Sequence, residues 1–425
     1  MLRYPRRLAA RFGAVIRADA AGVRAGFGAL FISSAGDLVA GLTLASINNT
    51  LHLLPALIVL IPAAIGMRGN VFGALGSRLG TLIHTGEFRV SRRLDTPVGQ
   101  NVAAALALSL STSFALAVLA KGVAVAFNVT SISIIDFMVV AVIGAVLSSL
   151  VVLAITIAVA SQCAERRWDL DNVAAPIVTA AGDVATLPSL FAATYLLGMR
   201  THHGQRIAEV HHGIFHIVTP LIAVLCAIAC IVALVVCVRS RLPILRRIVI
   251  ESAPILVIAG LIDVLAGVTI EKRLDAFLAF PALSVLIPPF LEDSGALGGI
   301  LAARVSTRLH LGSLRPGRSP LAALDDILLV LLYATPVFVL LGLSADVAAN
   351  IAHQHGPGLF KMVEVSVVGG VMATAFAVIV GYYAAVMTHR LRLDPDNHGI
   401  PIVTSSLDLF GAFSLILAIV LVGLR

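Results

Sequence analysis

The sequence predicts an all-α polytopic membrane protein of about 11 transmembrane helices, built as two parallel five-helix repeats. A pseudo-twofold axis along the membrane normal should relate the repeats, and a connector helix should join them. Three observations carry this prediction. The 425 residues are 59% hydrophobic and 12% charged, with mean hydropathy +1.01, whereas about 25% charged residues is usual in a soluble domain. Apolar runs of about 20 residues, long enough to cross a hydrocarbon core of about 30 Å, recur along the whole chain. A set of short motifs occurs twice, in the same order and almost the same register.

Taken in order, residues 1–25 form a basic arm with Arg3, Arg6, Arg7, Arg11, Arg17 and Arg24. Arg6-Arg7 has the form of a twin-arginine signal, but further spans follow it rather than a cleavage site, so the arm reads as an interfacial helix on the cytoplasmic face. Spans are expected at approximately 27–47, 53–76, 101–126, 134–160, 175–198, 215–238, 249–270, 279–303, 324–343, 363–387 and 401–423. With the N-terminus cytoplasmic, roughly 21 Arg and Lys residues fall on the inner side and roughly 7 on the outer side. That bias orients the chain in a cell membrane with its C-terminus outside. The net charge of +7 therefore reports orientation and contact with anionic lipid, and no feature of the chain reads nucleic-acid bases.

The repeat sets the layout. Asp37-Leu38-Val39-Ala40-Gly41-Leu42-Thr43 aligns with Asp263-Val264-Leu265-Ala266-Gly267-Val268-Thr269, and the same register pairs Leu54–Pro62 with Phe280–Pro288. Gly69 with Gly295, Arg78 with Arg304, Thr81 with Thr307, His84 with His310 and Gly86 with Gly312 stay in step. After one residue of slip, Pro176-x-x-Thr179-x-x-x-Asp183 matches Pro401-x-x-Thr404-x-x-x-Asp408, each preceded by Asp-Asn, at Asp171-Asn172 and Asp396-Asn397. Five spans per repeat plus one extra span bring the second repeat in from the same side as the first. The expected domains are therefore the arm 1–25, a first repeat 26–200, an outer His-rich loop and connector 201–247, and a second repeat 248–425.

Acids inside apolar spans are costly and point to ion pathways. Asp183 and Asp408 follow Thr179 and Thr404 by four residues, so each hydroxyl shares a helix face with a carboxylate. Two such carboxylates across a narrow axis suit a hard divalent cation such as Mg2+, held largely hydrated. Asp37 and Asp263 form a second symmetric pair, for which lining the path, coupling protons and bracing the next helix all remain open. Glu292 and Asp293 occur in the second repeat alone, opposite Gly66-Met67 in register. The proline and glycine clusters at Pro55–Gly69 and Pro281–Gly295 are expected to break the second span of each repeat and free backbone carbonyls, with Asn70 adding an amide oxygen. Cys226 and Cys230 share a face and read as packing, soft-metal binding being the alternative. His202, His203, His211, His212 and His216 read as a solvated loop, with metal recruitment or pH sensing as the alternative. Arg78 and Arg304 are expected to snorkel or cap loops.

At these residues the sequence resembles the membrane domain of the MgtE family of magnesium transporters, in the two-repeat single-chain form of solute carrier family 41. The resemblance rests on Pro55-Ala56-Leu57 through Gly69-Asn70, on Ser77-Arg78-Leu79-Gly80-Thr81 with Ala303-Arg304-Val305-Ser306-Thr307, and on the two Pro-x-x-Thr-x-x-x-Asp segments. It implies a pore on the axis between the halves, lined by the second and fifth helices, with Asp183 and Asp408 as pore carboxylates and Gly69-Asn70 beside them. The second repeat departs from the pattern, having Gly295-Ala296 in place of Gly-Asn. The resemblance further implies that gating by the cytosolic sensor domains of classical members does not operate in this chain.

The function expected is a divalent cation transporter, with Mg2+ as the transported ion and not an enzyme cofactor. The candidate ligands are Asp183, Asp408, Thr179, Thr404, Asn70, Asp37, Asp263, Glu292 and Asp293. One chain suffices for such a pore, and a homo-oligomer is compatible with it. A Na+- or H+-coupled exchanger, or a carrier for other divalents, is the alternative. An intramembrane aspartyl protease is a remote one, since Ala180 stands where a Gly-x-Gly-Asp motif needs glycine.

Overall fold

The computed structural model describes residues 20–91, 93–166, 170–198, 210–315, 319–393 and 398–424. The arm through residue 19, His202, His203 and Asp396-Asn397 lie outside them. Eleven membrane-length helices occur among the described residues. In the first repeat these are α1 (Ala20–Ser46), α3 (Leu60–His84), α4 (Pro97–Ala126), α5 (Ile134–Arg166) and α6 (Leu170–Thr194), with a short α2 (Asn48–Leu53) between the first two. The connector is α7 (Phe215–Val238). The second repeat holds α8 (Pro243–Glu271), short α9 (Leu274–Ala279), α10 (Ala282–His310), α11 (Leu324–Ile351), α12 (Leu359–Leu391) and α13 (Ile400–Leu421). Residue 248 falls inside α8.

The repeat is visible down to its irregularities. The short helices α2 and α9 begin and end at register-equivalent residues, and α3 and α10 both end beside a left-handed glycine, Gly86 (φ 76°) and Gly312 (φ 71°). The expected break occurs in the first repeat alone, and only at the Pro55 end of its cluster. α3 runs unbroken through Pro62, Gly66 and Gly69, and α10 through Pro288, Pro289 and Gly295. Pro62 lies in the first turn of α3, where a missing N–H costs nothing. The irregular backbone of the first repeat comes earlier, at left-handed Ala56 and the 3-10 turn Leu57–Val59, and has no counterpart in α10.

The two repeats exchange their first helices. α1 packs against α10 of the second repeat and α6 of its own, while α8 packs against α3 and α4 of the first repeat and α13 of its own. Two glycines make the crossings possible. A Cβ on Gly41 would meet the Val285 carbonyl oxygen at 2.2 Å, and one on Gly267 would meet that of Val59 at 2.4 Å. These are equivalent residues, so the same backbone-to-backbone approach occurs on both sides of the axis. Outside this core, α7 lies along α4 and α5. Its buried face carries Cys226, Cys230 and Cys237, and Cys230 Sγ donates to the Leu110 carbonyl at 3.3 Å.

Polar ends close the helices. Thr96 caps α4 through Gly99 N, with Pro97 in the first turn. Ser133 and Asp136 form a reciprocal capping box at α5, and His211 of the loop before α7 reaches the other Asp136 oxygen at 2.7 Å. Arg304 Nε bonds buried Asp326, in the first turn of α11, at 2.9 Å, and Arg308 binds the same carboxylate.

Candidate functional site

Four helices build the site: α3 and α10, the second long helix of each repeat, and α6 and α13, the fifth. A cavity of about 520 Å³ opens between them, lined among others by Gly66, Gly69, Asn70, Ser77, Thr179, Glu292, Ala303, Ile400, Thr404 and Asp408. It runs from the level of Gly66, Glu292 and Asp408 toward the α3 and α10 C-termini. Small residues on α3, at Gly66, Gly69, Gly73 and Gly76, leave the room. Toward the opposite end the space shrinks to about 10 Å³, scarcely one water. Its walls there are Ile61, Pro62 and Ile65 of α3 and their register partners Ile287, Pro288 and Leu291 of α10. This paired apolar ring seals the path.

The polar groups facing the wide part are oxygen donors. Asp408 is 6% exposed, Glu292 is partly exposed, and Thr404 Oγ1 lies 3.3 Å from Asn70 Oδ1 across the axis. Thr179 stands near Gly69 on the other side. Among the described residues, neither sulfur nor imidazole lines the cavity, and no group of three metal-ligating His, Cys, Asp or Glu side chains is preformed.

The remaining predicted acids sit behind this wall. Asp37 of α1 and Asp183 of α6 are both 0% exposed and approach each other within hydrogen-bonding reach, as do Asp263 of α8 and Asp408 of α13. Each repeat thus presses its first-helix acid against its fifth-helix acid. Two carboxyls tolerate that approach only with a proton or a cation between them. Of the two fifth-helix acids, Asp408 lines the cavity and Asp183 does not. Asp183 lies buried behind the cavity wall against the Asp37 carboxyl. Asp293 also turns away from the cavity, accepting from Ser34 Oγ of α1 at 2.7 and 2.9 Å. Its register partner Met67 packs instead at Gly260, so one exchanged seam is polar and the other apolar.

Two participants were not foreseen. Ser34, the donor to Asp293, is an ordinary serine in an apolar span. Arg68, 1% exposed on α3, points away from the cavity into α4 and α5, where it donates to Ser109, Ser113 and Ser148. Its sequence signal was a charge inside a span, with Ser109 and Ser113 one turn apart to receive it.

Two bundles around a cavity of buried carboxylates, open at one level and sealed by apolar side chains at the other, define a membrane transporter for cations. A family model described as "MgtE: Divalent cation transporter" matches residues 61–193 and 287–418, one stretch in each repeat. The chain belongs to this MgtE family of divalent cation transporters. It is similar to solute carrier family 41 member 3 of Rattus norvegicus, 24% identical over 420 residues covering 92% of this chain and 85% of that protein. The Mus musculus protein of the same name is 24% identical over 379 residues, covering 84% and 73%. No solved structure matches significantly.

Proposed function

We propose that this chain transports Mg2+, passing a largely hydrated ion between the repeats, with the fifth-helix acids Asp408 and Asp183 on opposite sides of its route. The observation that carries the reading is the cavity wall: carboxylate, amide and hydroxyl oxygens, with no softer donor among the described residues. Such a set suits hard cations over zinc or copper. Six waters occupy about 180 Å³ at about 30 Å³ each, so a cavity of about 520 Å³ accommodates the ion with its first shell. Mg2+ loses that shell reluctantly, and the Asp408, Asn70 and Thr404 oxygens then accept from its waters.

On this reading the protein is a multi-pass protein of the cell membrane, with the N-terminus cytoplasmic and the C-terminus outside. The wide end of the cavity then faces the cytoplasm. The domain limits 1–25, 26–200, 201–247 and 248–425 go with this topology. A coupled exchanger is the second reading, favoured by the apolar seal: a path closed at one level is what alternating access requires. A protease is disfavoured, since no peptide reaches Asp183. The test is flux into proteoliposomes, with Mg2+, Mn2+, Zn2+ and Co2+ compared under imposed Na+ and pH gradients. Mg2+ flux abolished by Asp408→Ala is expected. Transport of Zn2+ without Mg2+ would refute the assignment.

A further inference from the structure

Glu292 breaks the symmetry where the path narrows. Its register partner is Gly66, and a Cβ on Gly66 would lie 3.1 Å from Asp263 Oδ2 and 3.2 Å from Asp408 Oδ2. The bare α3 backbone therefore rests directly on the acid pair of the second repeat and leaves an edge of Asp408 in the wall. At the equivalent place on α10, against the acid pair of the first repeat, the chain carries a glutamate. A charged side chain thus stands where the other side has bare backbone. The charge of Glu292 acts on both Asp183 and Asp408, while Asp183 itself is fully buried against Asp37. Glu292 also reaches across to α3, its Oε1 lying 3.9 Å from a Cβ placed on Gly69. With Gly66 and Asp408, it lines both the wide cavity and the constriction.

We propose that Glu292, rather than Asp183, is the second carboxylate that a divalent cation meets in this cavity. The working pair is then Asp408 of α13 and Glu292 of α10, with Asn70, Thr179 and Thr404 as neutral oxygen ligands. This deepens the magnesium reading and rests on it. The pair spans non-equivalent helices, so the two sides of the ion differ. Asp408 is short and braced by Asp263, whereas Glu292 has an extra methylene and an additional rotor with which to follow the ion from the wide part into the constriction. The Asp37–Asp183 pair forms a layer behind it.

The test is Mg2+ titration of the purified full-length protein by calorimetry, read only on monodisperse samples. Glu292→Gln keeps the volume and removes the charge; it is expected to weaken binding at least about tenfold, the scale of a lost charge-assisted ligand, and comparably to Asp408→Asn. Glu292→Gly gives α10 the residue of α3 and is expected to open the wall toward Asp183. Asp183→Asn should therefore cost several times more affinity in the Glu292→Gly background than in the otherwise unaltered chain. Binding by Glu292→Gln within twofold of the unsubstituted protein would overturn the proposal, as would an equal cost of Asp183→Asn in both backgrounds. Failure of the unsubstituted protein to bind Mg2+ would overturn the magnesium reading instead, and the same comparison with Mn2+ would then decide Glu292.

Discussion

Replacing Gly41 by alanine tests the exchanged first helices directly. The added methyl would sit 2.2 Å from the Val285 carbonyl oxygen, 2.9 Å from its carbon and 3.0 Å from its Cα. Ordinary contact begins near 3.4 Å, so α1 and α10 must separate by about 1 Å. No side-chain rotation relieves this, because every obstructing atom is backbone. Ser34 lies two turns before Gly41 on the same helix face, so the separation also strains its bonds to Asp293, now 2.7 and 2.9 Å. The cost should reach about 3 kcal/mol, the upper end of overpacking penalties. Thermal unfolding in detergent, followed by size-exclusion fluorescence, should show a loss of several degrees for Gly41→Ala and a similar loss for Gly267→Ala. Gly122→Ala, where the methyl meets nothing within 4 Å, is the control and should match the parent protein. Gly41→Ala melting with the parent would refute the close crossing and the exchange that depends on it.

Two further outcomes are expected. Replacing Ile65 and Leu291 together by serine should wet the constriction and produce an Mg2+ leak in proteoliposomes that the parent lacks; an unaltered leak rate would show that the ring is not the barrier. Arg68→Met should leave a folded protein, because Ser113 and Ser148 already bond to the Ser109 and Gly144 carbonyls. Removing a fixed positive charge on the ion-lining helix, ~10 Å across its width, should tighten Mg2+ binding about tenfold or more at an effective dielectric of about 20. Weaker binding in calorimetry would contradict this.

Much of the architecture could be read directly from the chain. Eleven apolar runs of spanning length and a register of repeated residues from Asp37 to Gly86 gave the helices and their grouping, because membrane thickness and repetition both leave traces in sequence. The exchange of α1 and α8 was not legible. Gly41 and Gly267 recur, but a glycine reports that something comes close without saying what. Of the break expected across Pro55–Gly69, only the stretch at Ala56–Val59 is irregular, and the remainder was misread for a related reason: proline in a first helical turn and glycine against a neighbour look alike in a string, and only the neighbour distinguishes packing from unwinding. At the site, Asp408, Thr404, Thr179 and Asn70, each singled out in the sequence, line one cavity. Glu292 was noticed as an asymmetry, but its place in the cavity wall depends on depth along α10, which periodicity does not encode. Arg68 went unread because its partners are serines on two other helices.

The exchanged first helices also bear on how the protein is made. α1 leaves the ribosome about 240 residues before α10, its principal partner. At about 5–20 residues per second that is a wait of roughly 10 to 50 seconds in the bilayer, carrying Asp37 without its cover. α1 is among the less apolar spans, with a hydropathy of 1.5, so nothing in its own composition holds it firmly meanwhile. Neither half can therefore mature by itself: the first waits for the second to supply α10, and the second closes only on a helix made at the start. A gene cut between the repeats should yield two fragments that are degraded when expressed separately and rescued when expressed together.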